Sequence, residues 1–188
     1  MARARPRAGL PLQWLLTDAR LGGRNAGDPL WQAIRRLPRG AGILFRHYGW
    51  PEAERRKLLR QIAKIARRRG LRLLGSGISG APDGLHRARP TGARKRQIVT
   101  APAHGRRELL QAFRRGADLV FLSPVFPTRS HPGAPLLGPV RFGLAARNAP
   151  GPVLALGGMD ERRARRLRPL GAAGFGGIDC WAKAAPRR

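Results

Sequence analysis

Four side chains able to hold or pass a proton, Ser123, Thr128, Ser130 and His131, fall in one stretch crowded by Pro124, Pro127, Pro132, Gly133 and Pro135. Proline fixes φ and restricts the residue before it, so this stretch reads as a shaped loop that holds its hydroxyls and imidazole in place. Just ahead of it, Asp118-Leu-Val-Phe-Leu122 has the length and apolar character of a buried strand, with Gly116 as a helix stop before it. Polar groups at the carboxyl end of a parallel strand are what α/β proteins use to grip a ligand. A second candidate is Gly157-Gly158, between the apolar run 152–156 and a helix start at Asp160. With no Cβ, backbone N–H groups there can approach a phosphate, and the helix dipole favours its charge. Gly176 and Gly177, on the last apolar run, would add donors. Arg46, at the end of the second such run, is a partner for a diphosphate.

The four histidines, His47, His86, His104 and His131, each end or follow a predicted strand. In a barrel they would share one rim, where imidazole serves as acid, base or phosphate partner. His131, in the most constrained loop, is the first choice for chemistry and His104 the second. The spacing of the four carries no metal signature.

The elements that must position these groups alternate in type. Apolar runs at 12–18, 42–46, 71–74, 83–86, 96–100, 118–122, 152–156 and 174–178 read as eight strands. Helices are expected over 30–37, 51–69, 104–115, 141–147 and 161–170. The helix over 51–69 is the clearest, with Leu58, Ile62 and Ile65 on one face and Arg55, Arg56, Arg60, Lys64, Arg67 and Arg68 toward solvent. Eight strands alternating with helices predict an α/β fold of TIM (β/α)8 type, with an open doubly wound sheet as the alternative. Residues 75–82 leave no room for a crossover helix after the third strand, and 87–95 reads as basic loop after the fourth, so two crossovers are eroded. One domain is expected over 12–180, with a basic N-terminal tail over 1–11 and a C-terminal tail over 181–188.

Composition narrows the partners. The 188 residues suffice for one substantial core. Cys180 is the only cysteine, which excludes an internal disulfide and a multi-cysteine zinc site. No apolar run approaches the roughly 20 residues that span a bilayer, and no signal-peptide pattern is evident, so no membrane partner and a cytoplasmic location are expected. Of 38 basic residues only Lys57, Lys64, Lys95 and Lys183 are lysines, and the formal net charge is +28. Such a field attracts anions, from phosphorylated small molecules to nucleic acid. The arginines recur on several helices outside the apolar faces and form no block with interleaved aromatics, the pattern of a solvated surface.

Several of these segments together resemble the thiamine phosphate synthase/TenI family. They are Gly116-Ala-Asp118, Ser123-Pro-Val-Phe-Pro-Thr128, Leu154-Ala-Leu-Gly-Gly-Met159 and, in a variant form, Pro82-Asp-Gly-Leu-His86. The resemblance runs over roughly 12–180 and is specific mainly between Gly116 and Met159. It implies a TIM barrel that joins hydroxymethylpyrimidine diphosphate to thiazole phosphate with Mg²⁺, releasing pyrophosphate. By position it implies Thr128 and Ser130 at the diphosphate or thiazole end, Gly157 and Gly158 at the phosphate, and Arg46 as the arginine of the family's Gln-x-Arg strand. This chain departs from the pattern at four points. His131 stands where the synthase lysine is expected. Gly75-Ser-Gly-Ile-Ser79 replaces the Asn-Asp-Arg segment and Arg87-Ala-Arg-Pro90 the Gly-Gln-x-Asp, removing both expected metal carboxylates. Pro124 occupies the position of the catalytic histidine of the tautomerase branch.

Overall fold

The computed structural model describes residues 9–86, 97–129, 133 and 135–182. Eight parallel strands close into a barrel in chain order, each hydrogen-bonded to the next and β8 to β1. They are β1 (Gln13–Leu16), β2 (Gly42–Phe45), β3 (Arg72–Gly75), β4 (Gly84–His86), β5 (Ile98–Ala103), β6 (Leu119–Leu122), β7 (Val153–Ala155) and β8 (Gly174–Gly177). All eight strands lie where the apolar runs place them, and the closed order settles the choice against an open sheet.

The outer layer consists of α1 (Pro29–Arg36), α2 (Glu52–Arg69), α3 (Arg106–Arg114), α4 (Gly138–Ala146), α5 (Glu161–Leu167) and a single turn, α6 (Asp179–Ala182). No helix joins β3 to β4, as the short spacing requires. The segment after β4, residues 87–96, lies outside the described residues. α2 is bounded as its sequence dictates: Glu52 and Glu54 occupy the positive N-terminal turn, Arg67–Arg69 the last, and Gly70 ends it at φ 64. Among the described residues no helix is long and apolar enough to cross a membrane.

Strand alternation divides the core into an interior and a surrounding layer. Trp14, Leu16, Leu44, Leu74, Phe121 and Leu154 fill the barrel, with Trp14 and Phe121 edge to face at 5.6 Å. Two glycines make room for these rings. A Cβ on Gly42 would enter the Trp14 indole, and one on Gly176 would lie 2.7 Å from Leu16 Cδ1. The intervening residues, such as Leu15, Ile43, Phe45 and Leu73, pack outward against α1 and α2, and Val120, Leu122, Val153 and Ala155 against α3 to α5. Truncating a fully buried aromatic such as Phe121 to Ala costs about 3–5 kcal/mol.

Three details at the helix ends differ from the sequence reading or add to it. α4 starts at Gly138, three residues before the expected 141, because Pro139 is tolerated in a first turn. Asp28 precedes α1 but does not cap it: its carboxylate accepts instead from Gly23 and Asn25 backbone N–H groups, closing the preceding loop. α6 extends past residue 180. Trp181 stacks on Phe175 at 5.6 Å and donates to the Trp14 carbonyl, while Arg36 donates to the carbonyls of Trp181 and Ala182.

Candidate functional site

At the carboxyl end of β2, Arg46 is held by the neighbouring end of β1. Its backbone N–H donates to Thr17 Oγ1 at 2.9 Å and its Nε to the Thr17 carbonyl at 3.0 Å. Its outer nitrogen lies 4.0 Å from Asp18, and only 17% of the side chain is exposed. Burial pushes the guanidinium below its usual value, opposed by Tyr48 and Asp18. Arginine stays ionised in any protein environment. Burial would push Asp18 up, but bonds from the Arg20 side chain and backbone, with the charges of Arg20 and Arg46, outweigh it and hold the carboxyl below the usual range.

Thr17 is fully buried, and its hydroxyl links Arg46 to His47. His47 Nε2 lies 2.8 Å from the Gly22 carbonyl, which can only accept, so Nε2 carries the proton. Nδ1 is therefore the acceptor, taking the Thr17 hydroxyl proton at 2.9 Å while Thr17 Oγ1 accepts from Arg46. His47 adopts φ 42, stacks on Phe45 at 5.2 Å and meets Trp50 edge-on. Burial lowers its pKa, with the Gly22 bond and Asp18 opposing and Arg55 and Arg46 adding. His47 thus lies between barrel and helices as a neutral post behind Arg46, a correction to the expectation of four histidines on one rim.

A second support comes from α2. Arg55, expected on the solvent face, turns toward the rim and fastens the loops after β2 and β3. Nη2 donates to the carbonyls of Arg46 at 2.8 Å and Ser76 at 3.0 Å, and Nη1 to that of Gly77 at 3.1 Å. The Ser76 and Tyr48 hydroxyls bond at 2.5 Å in the same cluster.

Across the mouth, the loop after β6 is stitched to the turn after β7. Past the cis Ser123–Pro124 bond, Val125 N–H donates to Leu156 O at 2.9 Å and Phe126 N–H to Gly157 O at 3.2 Å. This contact demands glycine. Gly157 has φ 94, and a Cβ there would lie 2.8 Å from Pro124 Cα. Gly158 has φ 58, and its Cβ would run into the Pro127 carbonyl. Arg163 donates to Gly158 O and covers the Phe126 ring at 4.8 Å, so a guanidinium sits beside the turn.

These two sides enclose a cavity of about 980 Å³, lined among others by Arg46, Ser123, Thr128, Gly157, Gly158 and Gly177. His104 reaches it too, its ring 3.0 Å from the Glu108 carboxylate, which also accepts the His104 backbone N–H ahead of α3. That bond holds Glu108 below its usual pKa. Gly176 is placed otherwise: its missing Cβ faces the barrel interior. His86 also lies inside, with Nδ1 2.8 Å from Thr100 Oγ1 and the ring 6.0 Å from Phe121. Ser130 and His131 lie outside the described residues. Sequence reasoning missed Thr17, Asp18 and Arg55; a Thr-Asp pair ending the first strand was the one local signal for the first two.

All ten acidic residues of the chain are among the described ones. Asp28, Asp83 and Asp118 accept backbone N–H groups, and Glu52 and Glu54 pair with Arg56 and Arg24. Asp160 caps α5 through the Arg163 N–H at 2.7 Å. The cavity wall carries Asp160, Glu161 and Asp179 against Arg36, Arg46, Arg129, Arg162 and Arg163. Among the described residues no group of three or more His, Cys, Asp or Glu could hold a metal ion.

Fold and mouth define a compact (β/α)8 barrel, with a cationic cavity at the carboxyl-terminal face where such barrels carry their ligands. More particularly, the thiamine monophosphate synthase family model matches residues 84–180, over half of the chain, and the protein belongs to that family. A relative from Aquifex aeolicus, provisionally named thiamine-phosphate synthase 2, is 27% identical over 181 residues, covering 90% of this chain and 96% of its own. The thiamine-phosphate synthase of Dictyoglomus turgidum is 34% identical over 77 residues, 40% of this chain and 34% of its own. In three dimensions the chain is similar to thiamine phosphate pyrophosphorylase from Pyrococcus furiosus, with a TM-score of 0.73 at 20% identity over 91% of this chain and 86% of that one. The Bacteroides thetaiotaomicron pyrophosphorylase gives 0.61 at 18% identity, over 94% and 87%. At these identities the structural likeness is one of fold.

Proposed function

We propose that the protein acts at this mouth on the phosphorylated precursors of thiamine phosphate, joining hydroxymethylpyrimidine diphosphate to thiazole phosphate with release of pyrophosphate. The observation that carries the reading is Arg46, fixed by Thr17 and mostly buried, on the same cavity as the Gly157–Gly158 turn. In this reaction the bond from the pyrimidine methylene to diphosphate oxygen breaks, and the thiazole nitrogen forms a bond to that carbon. Negative charge grows on the departing diphosphate, and cationic groups fixed beforehand stabilise it without reorganising. Arg46 is such a group. Ser123 and Thr128, and Ser130 beyond them in the same loop, are the hydroxyls for the phosphate oxygens. In sequence, His131 stands where the family's lysine is expected. His104, held by Glu108 on the rim, is the remaining imidazole for a proton.

A second reading, a phosphate-ligand binder without turnover, is favoured by the acidic side chains. Between β3 and β4, where the family resemblance puts a metal carboxylate, the one acidic residue is Asp83, whose carboxylate accepts the Leu73 N–H and the Arg72 guanidinium, and residues 87–96 after β4 contain none. A direct assay separates the two: purified protein with both precursors and Mg²⁺, following thiamine phosphate, with Ser130→Ala and His131→Ala alongside. Turnover that collapses in the variants supports the synthase. Stoichiometric binding of the precursors with no product rejects it in favour of the binder.

A further inference from the structure

We infer that the mouth takes its phosphorylated ligand as the metal-free anion, with guanidinium groups meeting the charge that a carboxylate-held Mg²⁺ would otherwise offset. This rests on the reading that a phosphorylated ligand binds at this mouth. Magnesium keeps several waters and is held through one or two carboxylates together with ligand phosphates. Beside Arg46 stands the carboxylate of Asp18, whose Oδ1 accepts the Arg20 backbone at 3.0 Å and the Arg20 side chain at 2.9 Å. After β3 stand Ser76, Gly77, Ile78 and Ser79, with the Ser76 and Gly77 carbonyls taken by Arg55, and the acidic residue of that segment, Asp83, accepts the Leu73 N–H and the Arg72 guanidinium. Residues 87–96, after β4, contain no acidic side chain. On the opposite wall Asp160 is committed to capping α5, and Glu161 and Asp179 on the same cavity do not gather with it into a metal-holding group among the described residues. The donor set does not fit a protein-held Mg²⁺, and no step is derived through one.

The same wall is well supplied with positive charge. A guanidinium matches phosphate with two parallel bonds and stays charged when partly buried, which suits Arg46 to a phosphate without a bridging ion. Arg163, beside the Gly158 turn, and Arg129 and Arg162 on the same cavity surround the space opposite. In such a site Mg²⁺ competes for the anion in solution and does not assist its binding.

Isothermal titration of inorganic pyrophosphate into the full chain tests this, once in EDTA and once in millimolar Mg²⁺. Binding in EDTA at least as tight as in Mg²⁺ is expected. Arg46→Ala should weaken it by about tenfold or more, the scale of a lost bond to a charged group. Arg60→Ala, on the exposed face of α2, controls for the general field of the chain and should leave binding within about twofold. Arg46→Lys, which keeps the charge but not the fork, serves if the alanine variant does not fold, and should also bind more weakly. Binding that requires Mg²⁺ overturns the inference and leaves a phosphate-binding mouth standing. Equal weakening in the Arg46 and Arg60 variants overturns it in favour of diffuse surface attraction. No binding in either buffer overturns both the inference and the reading beneath it.

Discussion

Replacing Thr17 by Val changes one buried hydroxyl to a methyl of similar size and leaves two polar groups without partners. Arg46 N–H loses its acceptor and His47 Nδ1 loses its donor, both at 2.9 Å in the native arrangement. His47 cannot recover by switching tautomer, because Nε2–H is committed to the Gly22 carbonyl. Each buried group left unsatisfied costs about 1–3 kcal/mol, so the pair predicts a loss of about 2–6 kcal/mol. The Arg46 Nε bond runs to the Thr17 backbone and survives the change, so the guanidinium is loosened and not released. Thr17→Ser keeps the hydroxyl and removes a buried methyl, a loss of about 1 kcal/mol. Urea unfolding at neutral pH measures both variants, and pyrophosphate titration should show weaker binding in Thr17→Val alone. If Thr17→Val unfolds within about 0.5 kcal/mol of wild type, the size of an ordinary surface change, the hydroxyl relay behind Arg46 is refuted.

Other outcomes follow from the same geometry. Gly158→Ala forces a Cβ against the Pro127 carbonyl at φ 58, and should cost at least the roughly 1–3 kcal/mol of a strained backbone, measured by thermal unfolding. Arg55→Lys cannot span three carbonyls with one ammonium; it should lower stability by about 1–2 kcal/mol and weaken pyrophosphate binding, and unchanged affinity would remove Arg55 from the support of Arg46. His47 is held below its ordinary value of 6.5 by burial, so the unfolded chain binds the extra proton first as pH falls. Its contribution is whole above about pH 6.5, declines below it by at most about 1.4 kcal/mol per pH unit, and levels off once the folded-state value is passed. Urea midpoints between about pH 7.5 and pH 5 should show that slope in wild type and its absence in His47→Gln.

The barrel was legible because each strand is a short apolar run with Gly, Pro or charge at its edges, a local signal that survives folding. Misplaced boundaries have local causes too. β5 continues through Pro102 to Ala103, two strand positions that a proline argues against. Val99 and Ala103 direct their carbonyls to the chain at β6, so the nitrogen of Pro102 points to the β4 side. β4 ends at His86, opposite Thr100, and no ladder bond is required of that nitrogen. α6 is one turn, too short to show a period. The mouth was only half legible. Arg46 and the Gly157–Gly158 turn could be named from their places at strand ends. Thr17, His47 and Arg55 could not be given their roles, because each acts on a group in another element: Thr17 and His47 are 30 residues apart, and Arg55 reaches the Ser76 carbonyl from 21 residues away. In sequence Gly157 and Gly158 suit access to phosphate, and in the fold a steric reason stands beside that one, the close passage of the Pro124–Pro127 loop.

On the proposed reading, a phosphorylated thiamine precursor or product sits between Arg46 and the Gly157–Gly158 turn. A crystal structure of the protein grown with thiamine phosphate tests it most directly. Phosphate density is expected within hydrogen-bond distance of the Arg46 guanidinium, on the cavity side of the β7 turn. An ordered ligand elsewhere on the barrel, with this mouth empty, would contradict it.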